Sequence, residues 1–189
     1  MARGTASIVD EGERARERAA ADGGPAAFEA LMAAYEVPIG RYLRHLVGEP
    51  ETARDLTQET FLAAYRALPH TAVTNPGGWL YRIATNQALA HLRRRRLIAW
   101  LPLVGWSGAG RAGLGAEPGE QVVADAAVAA ALARLAPRQR ACLLLTMAGF
   151  GGEEIAAQLG MSPTAARMCL SRAREGFRRH YFGADAVEG

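Results

Sequence analysis

The 189-residue chain has no lysine: all 22 of its basic side chains are arginine. Set against 19 acidic residues, they leave a net charge of +3. A composition heavy in arginine and alanine is what a GC-rich coding genome produces, so the choice of arginine over lysine carries no functional information by itself. Cysteine is scarce. Cys142 and Cys169 are the only two, too few for a disulfide framework or a four-ligand zinc site and suited to a reducing cytosol. The four histidines, His45, His70, His91 and His180, are scattered without metal-ligand spacing. No nucleophile–base pair is suggested, so neither a cofactor nor an enzymatic role is expected. Long hydrophobic runs are missing too. The longest, Leu97 to Trp106, is broken by Pro102 and falls well short of the roughly 20 residues that span a bilayer. The first residues, MARGTASIVDEGER, hold no apolar core of the kind a secretory signal needs. These absences together predict a soluble cytoplasmic protein with no membrane partner.

Acid is also absent locally. From Thr60 to Ala116 there is no carboxylate against seven arginines, Arg66, Arg82, Arg93, Arg94, Arg95, Arg96 and Arg111. Residues 27–59 are net negative, and 122–182 are net positive, with five arginines between Arg167 and Arg179. Two separate basic surfaces beside a more acidic one point to two contacts with a polyanion.

What is present is helical periodicity, so the expected fold class is all-α, with two small helical domains. Residues 1–24 read as a frayed segment. A first domain spans 25–97. In it Phe28, Leu31, Met32, Tyr35, Ile39, Leu43 and Leu46 recur at three- and four-residue steps. Gly48 and Pro50 break this helix, a second runs from Glu51 to Leu68, and Pro69–Gly78 reads as a loop. A third helix is expected over Gly78–Arg96. A glycine-rich linker covers 98–124. A second domain follows at 125–182, opening at Asp125 as an N-cap, with a short tail at 183–189. Gly108, Gly110 and Gly113 spell a dinucleotide fingerprint, but no strand–turn–helix context surrounds them.

The sharpest local signal is Gly151–Tyr181. A short helix carries Glu153 and Glu154 in its first turn, Gly160 can end it in a left-handed conformation, and Ser162 with Pro163 can cap the next. This spells a helix-turn-helix. On the second helix Ala166, Leu170, Ala173, Phe177 and Tyr181 form an apolar stripe. Arg167, Met168, Ser171, Arg172 and Arg174 lie away from it, placed to meet DNA.

Two further constellations lie in the N-terminal half. On helix 51–68, Asp55, Gln58, Glu59 and Leu62 share one arc, a leucine among polar groups that suits protein docking. On the third helix, Trp79, Asn86 and Arg93 share an arc. They offer stacking, base-edge hydrogen bonding and phosphate contact.

The segments PAAFEALMAAY, ARDLTQETFLAAYRAL and GWLYRIATNQALAHLRRRR, followed by ALARLAPRQRACLLL and GGEEIAAQLGMSPTAARMCLSRAREGFRR, resemble the extracytoplasmic-function group of bacterial RNA polymerase sigma factors. The resemblance covers roughly residues 25–97 and 125–181. It implies that Asp55, Gln58, Glu59 and Leu62 dock on the polymerase β′ clamp, and that the C-terminal domain meets the β flap. It implies minus-ten recognition by Asn75, Trp79, Arg82, Asn86, Arg93 and Arg94, with capture of a flipped base. Arg93–Arg96 would hold upstream phosphates. Minus-thirty-five contacts would come from Ser162, Thr164, Arg167, Met168, Ser171, Arg172 and Arg174. An anti-sigma factor is a further implied partner. The chain departs from the family pattern at Ala90, where aspartate is usual, and at Ala165–Cys169, where only the basic position persists, as Arg167. Two other classes stay open on sequence alone. One is a stand-alone helix-turn-helix regulator that binds duplex DNA without polymerase; the other is a protein-only adaptor. The Asp55–Leu62 stripe discriminates the first reading from these.

Overall fold

Five of the seven helices among the described residues begin on a proline, and that pattern fixes most of their architecture. The computed structural model describes residues 25–68, 73–100 and 120–183. Within them the elements are α1 (Pro25–Val47), α2 (Pro50–Ala67), α3 (Pro76–Trp100), α4 (Glu120–Ala133), α5 (Pro137–Met147), α6 (Gly152–Leu159) and α7 (Pro163–Phe182). Proline at the first helical position loses no hydrogen bond, because that N–H has no helical partner anyway, and its fixed φ suits the helix. α1 also runs through an internal Pro38, which has no N–H to give the Ala34 carbonyl. The described residues include no strand.

Helix ends follow local chemistry. Gly48 stops α1 at φ +84° while its N–H returns to the Arg44 carbonyl at 2.9 Å. At the start of α5 the Gln139 side chain accepts from Ala136 N–H at 3.3 Å, and Glu154 does the same for Gly151 at α6, at 2.8 Å. Both are the back-reaching half of a capping box. Two expected boundaries differ. α3 continues past Arg96 to Trp100, since no breaker occurs before Pro102, and α4 starts at Glu120, so Asp125 lies inside it rather than capping it. The last breaker ahead of α4 is Gly119. The expected N-terminal segment 1–24, the linker core 101–119 and the tail from 184 lie outside the described residues.

α1, α2 and α3 pack mutually around Leu31, Ile39, Leu43, Leu46, Leu56, Phe61, Leu80 and Ala84. α4, α5 and α6 close around α7 through Leu132, Leu135, Cys142, Leu145, Ile155 and Leu159. These are not two cores. One contiguous apolar cluster joins them, with α1 against α4 and α5, and α3 against α5 and α6. A chain of rings crosses this seam: Tyr42 and Tyr81 at 5.1 Å between centroids, then Tyr81 and Phe150 at 5.0 Å, both edge-to-face.

Polar groups trapped in the core satisfy themselves. Thr57, Thr60 and Thr85 donate to the carbonyls of Ala53, Leu56 and Tyr81, four residues back. Because the single Thr85 proton is used this way, the Tyr42 hydroxyl, 2.7 Å away, is the donor to Thr85 Oγ1. Burial is the main reason both tyrosines hold their protons. Tyr81 is pushed up to about 12, with Tyr35 adding to the effect, and Tyr42 is pushed well above its ordinary range despite the Thr85 hydrogen bond.

Two outcomes are expected. A Cβ on Gly77 would come within 2.8 Å of the Tyr35 hydroxyl and 3.1 Å of its ring, so Gly77→Ala should lower the urea midpoint by the equivalent of about 1–3 kcal/mol. Tyr81 has a folded pKa above its unfolded value near 10, so its contribution is complete below about pH 10 and lost as pH rises toward 12. Thermal melts followed by circular dichroism from pH 9 to 12 should therefore show a steep loss of stability, and Tyr81→Phe should make it shallower without abolishing it, because the raised Tyr42 and Cys142 remain.

Candidate nucleic-acid and protein interfaces

The packing of α2 separates its two faces cleanly. Ala53, Leu56, Thr57, Thr60, Phe61 and Ala64 are buried. Asp55, Gln58, Glu59 and Leu62 are all exposed, Leu62 by 49%. Tyr65, one turn further on, is also exposed at 53% and braces its ring edge-to-face against Phe28 at 5.0 Å. Tyr65 extends the apolar part of this stripe. The i, i+3 step from Leu62 is the sequence signal that points to it. Beside the stripe, a groove of about 390 Å³ between α1 and α2 is lined by Glu36, Arg44, Arg54 and Gln58 among others.

α3 places its candidate residues differently. Arg82, Asn86, Arg93 and Arg94 are exposed, whereas Trp79 is half-buried and packs against the core cluster. Asn75 is half-buried at the helix entrance. Its Oδ1 accepts from Gly78 N–H at 2.9 Å, and its own carbonyl accepts from Trp79 N–H at 2.9 Å. Asn75 is thus the N-cap that sets the orientation of Trp79. Of the run Arg93–Arg96, expected to hold phosphates, Arg95 is ion-paired with Glu49 at 3.2 Å, between groups that are both about half exposed. Such a pair contributes little to stability.

The helix-turn-helix is built as its residues predict. Gly160 takes the left-handed conformation, φ +60° and ψ +48°, and ends α6. Ser162 Oγ accepts from Ala165 N–H at 3.2 Å and caps α7. Ala166 and Ala173 are buried, Leu170 and Phe177 are half-buried, and Tyr181 at 37% exposure lies at the rim of the stripe. Ser162, Thr164, Arg167, Met168, Ser171, Arg172 and Arg174 are all exposed. The first turn of α7 is internally organised, with Arg167 Nη2 donating to Thr164 Oγ1 at 3.3 Å. Further along, Arg179 donates to Glu175 at 2.6 Å. Cys142 is buried, and burial raises its thiol pKa far above the ordinary value, with a hydrogen bond to Cys169 as the next cause.

One buried charge escaped the sequence reading. Arg140, in the first turn of α5, is only 7% exposed, and its guanidinium joins the two halves of the molecule. Nη1 donates to the Leu46 carbonyl of α1 at 2.8 Å, and Nη2 donates to Ala133 at 2.7 Å and Leu135 at 3.3 Å. Burial first, and the neighbouring Arg96 second, lower its pKa. Among the described residues, no group of three or more His, Cys, Asp or Glu side chains could hold a metal ion.

Comparison with known proteins agrees with this geometry. The family described as Sigma-70 region 2 matches residues 31–98, and Sigma-70, region 4 matches residues 125–175. RNA polymerase sigma factor CnrH of Cupriavidus metallidurans is 34% identical over 178 residues, covering 87% of this chain and 92% of that protein. ECF RNA polymerase sigma factor SigE of Mycolicibacterium smegmatis is 34% identical over 143 residues, covering 73% of this chain, which spans only 55% of SigE. The solved structure of CnrH in complex with the cytosolic domain of CnrY superposes with a TM-score of 0.63 at 25% identity, covering 94% of this chain and 99% of that one. With both region patterns in order and a relative matched nearly end to end, the chain belongs to the ECF group of RNA polymerase sigma factors.

Proposed function

We propose that this protein binds core RNA polymerase and directs it to promoters by reading a minus-ten and a minus-thirty-five element, and that it helps melt the DNA between recognition and initiation. The observation that carries the reading is the partition of exposed faces. Asp55, Gln58, Glu59 and Leu62 form one polar face with an apolar centre on α2, while α3 and α7 each present arginines without facing carboxylates apart from Glu49 and Glu175. A stand-alone duplex binder has no use for the first face.

In this reading residues 25–97 form the region 2 domain, 98–124 the connection and 125–182 the region 4 domain. The α2 stripe meets the β′ clamp and the C-terminal domain meets the β flap. Asn75, acting as a cap, orients Trp79. Asn86 and Arg82 face the minus-ten element, and Arg93 and Arg94 hold backbone phosphate. α7 enters the major groove with Thr164, Arg167, Met168 and Ser171 nearest the bases, while Ser162, Arg172 and Arg174 bind phosphate. An anti-sigma factor is a further partner in this reading; the relative CnrH is itself solved in complex with a protein, the cytosolic domain of CnrY. The protein works in the cytoplasm as a non-enzymatic factor, and no described helix is long and apolar enough to cross a membrane.

Reversing the charge at both Asp55 and Glu59 to arginine should weaken binding to purified core polymerase by about tenfold or more, as loss of central interface anchors does. Unchanged affinity in a pull-down or fluorescence titration places the docking face elsewhere. Run-off transcription with core polymerase on native promoter fragments should start only when this chain is added. Replacing Arg93 and Arg94 by alanine should reduce the slope of log affinity against log salt by roughly 1.8, two phosphate contacts' worth, with little change in sequence preference.

A further inference from the structure

The chain's two cysteines meet inside the helix-turn-helix domain. Cys142 on α5 has none of its surface exposed, and Cys169, half-buried on α7, is hydrogen-bonded to it thiol to thiol. Helix packing puts them there. Leu135, just ahead of α5, sits against Gly176 of α7, where an added Cβ would come within 2.8 Å of its Cδ2. Cys142 lies seven residues after Leu135, and Cys169 lies seven before Gly176. The two helices therefore run antiparallel and in register, the two contacts being about two turns, or about 10.5 Å, apart. At this step along α7 every residue is small: Ala166, Cys169, Ala173 and Gly176, with both alanines buried. Side chains of that size let helices approach closely, and a disulfide needs Cα atoms only about 5.5–6 Å apart.

The pair is asymmetric, and the asymmetry orders its chemistry. Cys142 is sealed in the apolar cluster, where burial keeps its proton in place. Cys169 is reached from solvent beside Met168 and Arg172, both exposed. A hydroperoxide small enough to follow water meets Cys169 first.

We infer that Cys142 and Cys169 are a peroxide-oxidisable pair whose disulfide pins α7 to α5 and weakens reading of the minus-thirty-five element. In the first step the Cys169 sulfur attacks hydrogen peroxide and the O–O bond breaks. Cys169 becomes a sulfenic acid, and its thiol proton leaves with the second oxygen as water. In the second step the Cys142 sulfur displaces the sulfenic hydroxyl. The S–S bond forms, the S–O bond breaks, and the Cys142 proton leaves with the hydroxyl as a second water. Two thiols thus give two electrons to one peroxide. Thiol reductants reverse the bond, which fits the transient disulfides of reducing compartments. Hydrogen-bonded sulfurs stand farther apart than the roughly 2.05 Å of an S–S bond, so its closure draws α7 toward α5. Arg167, Met168, Ser171 and Arg172 lie within a turn of Cys169 and move with it. The consequence for DNA rests on the proposed promoter role; the thiol pair does not.

The test takes the full chain, reduced and then treated with hydrogen peroxide, and labels it with N-ethylmaleimide in denaturant for mass spectrometry. Two labels are expected before peroxide and none after, with tryptic peptides 141–167 and 168–172 joined by a bond that dithiothreitol cleaves. Two labels that persist, linkage only between molecules, or Cys169 carried to sulfinic acid while Cys142 is still labelled overturns the pair. The oxidised chain, freed of peroxide and given to core polymerase, should lose run-off transcription about tenfold, the cost of about one mismatched base pair, and regain it with dithiothreitol. Cys169→Ala, or Cys142→Ala where circular dichroism shows the first unfolded, should keep its activity through the same treatment. An equal loss in that variant, or linked thiols with unchanged transcription, overturns the inference and leaves the promoter reading standing. A reduced chain that starts no transcript sinks the promoter reading, and the labelling still decides the pair.

Discussion

Two helix C-termini, each with carbonyls that no residue of its own helix can satisfy, are brought face to face in this molecule, and a single buried arginine makes that possible. Negative dipole ends repel at close range in a low-dielectric interior, and a cation between them removes the penalty. Among the described residues Arg140 is the one charged side chain that is buried, and three carbonyls answer its η nitrogens. Its Nε remains without a partner. The shared apolar cluster, the ring chain through Tyr81 and the seating of α5 on α1 all depend on that contact being tolerable.

Much of the rest was legible in the sequence, because it is local. Proline at helix starts, Gly160 in the left-handed region and the Ser162 cap each need only a few neighbouring residues to act. The α2 stripe followed from a 3.6-residue period alone. Less visible were the buried hydroxyls Thr57, Thr60 and Thr85, which look polar in a pattern but are self-satisfied four residues back along their own helices. Asn75, which the resemblance implies as a minus-ten contact, is also a helix cap, and sequence cannot separate the two roles because one side chain suits both. Arg140 was out of reach altogether. It was one arginine among 22, and its key partner is 94 positions away.

In the packed arrangement the proposed contact residues on α2, the arginines and Asn86 on α3, and the whole outer face of α7 remain on the outside. The packing of the two halves therefore covers none of these side chains, and what it sets is their spacing. The seam that sets it is a mostly apolar contact with one polar tie.

α3 runs without interruption from Pro76 to Trp100. Trp79 and Arg93 are 14 residues apart on it, which at 1.5 Å per residue is about 21 Å, or the length of about six base pairs. In the proposed promoter reading, with Trp79 receiving a base and Arg93 gripping a phosphate, this unbroken helix would be a ruler. It would set how far the opened strand lies from the still-paired duplex, and an insertion or deletion within it would shift that register even with every contact residue intact.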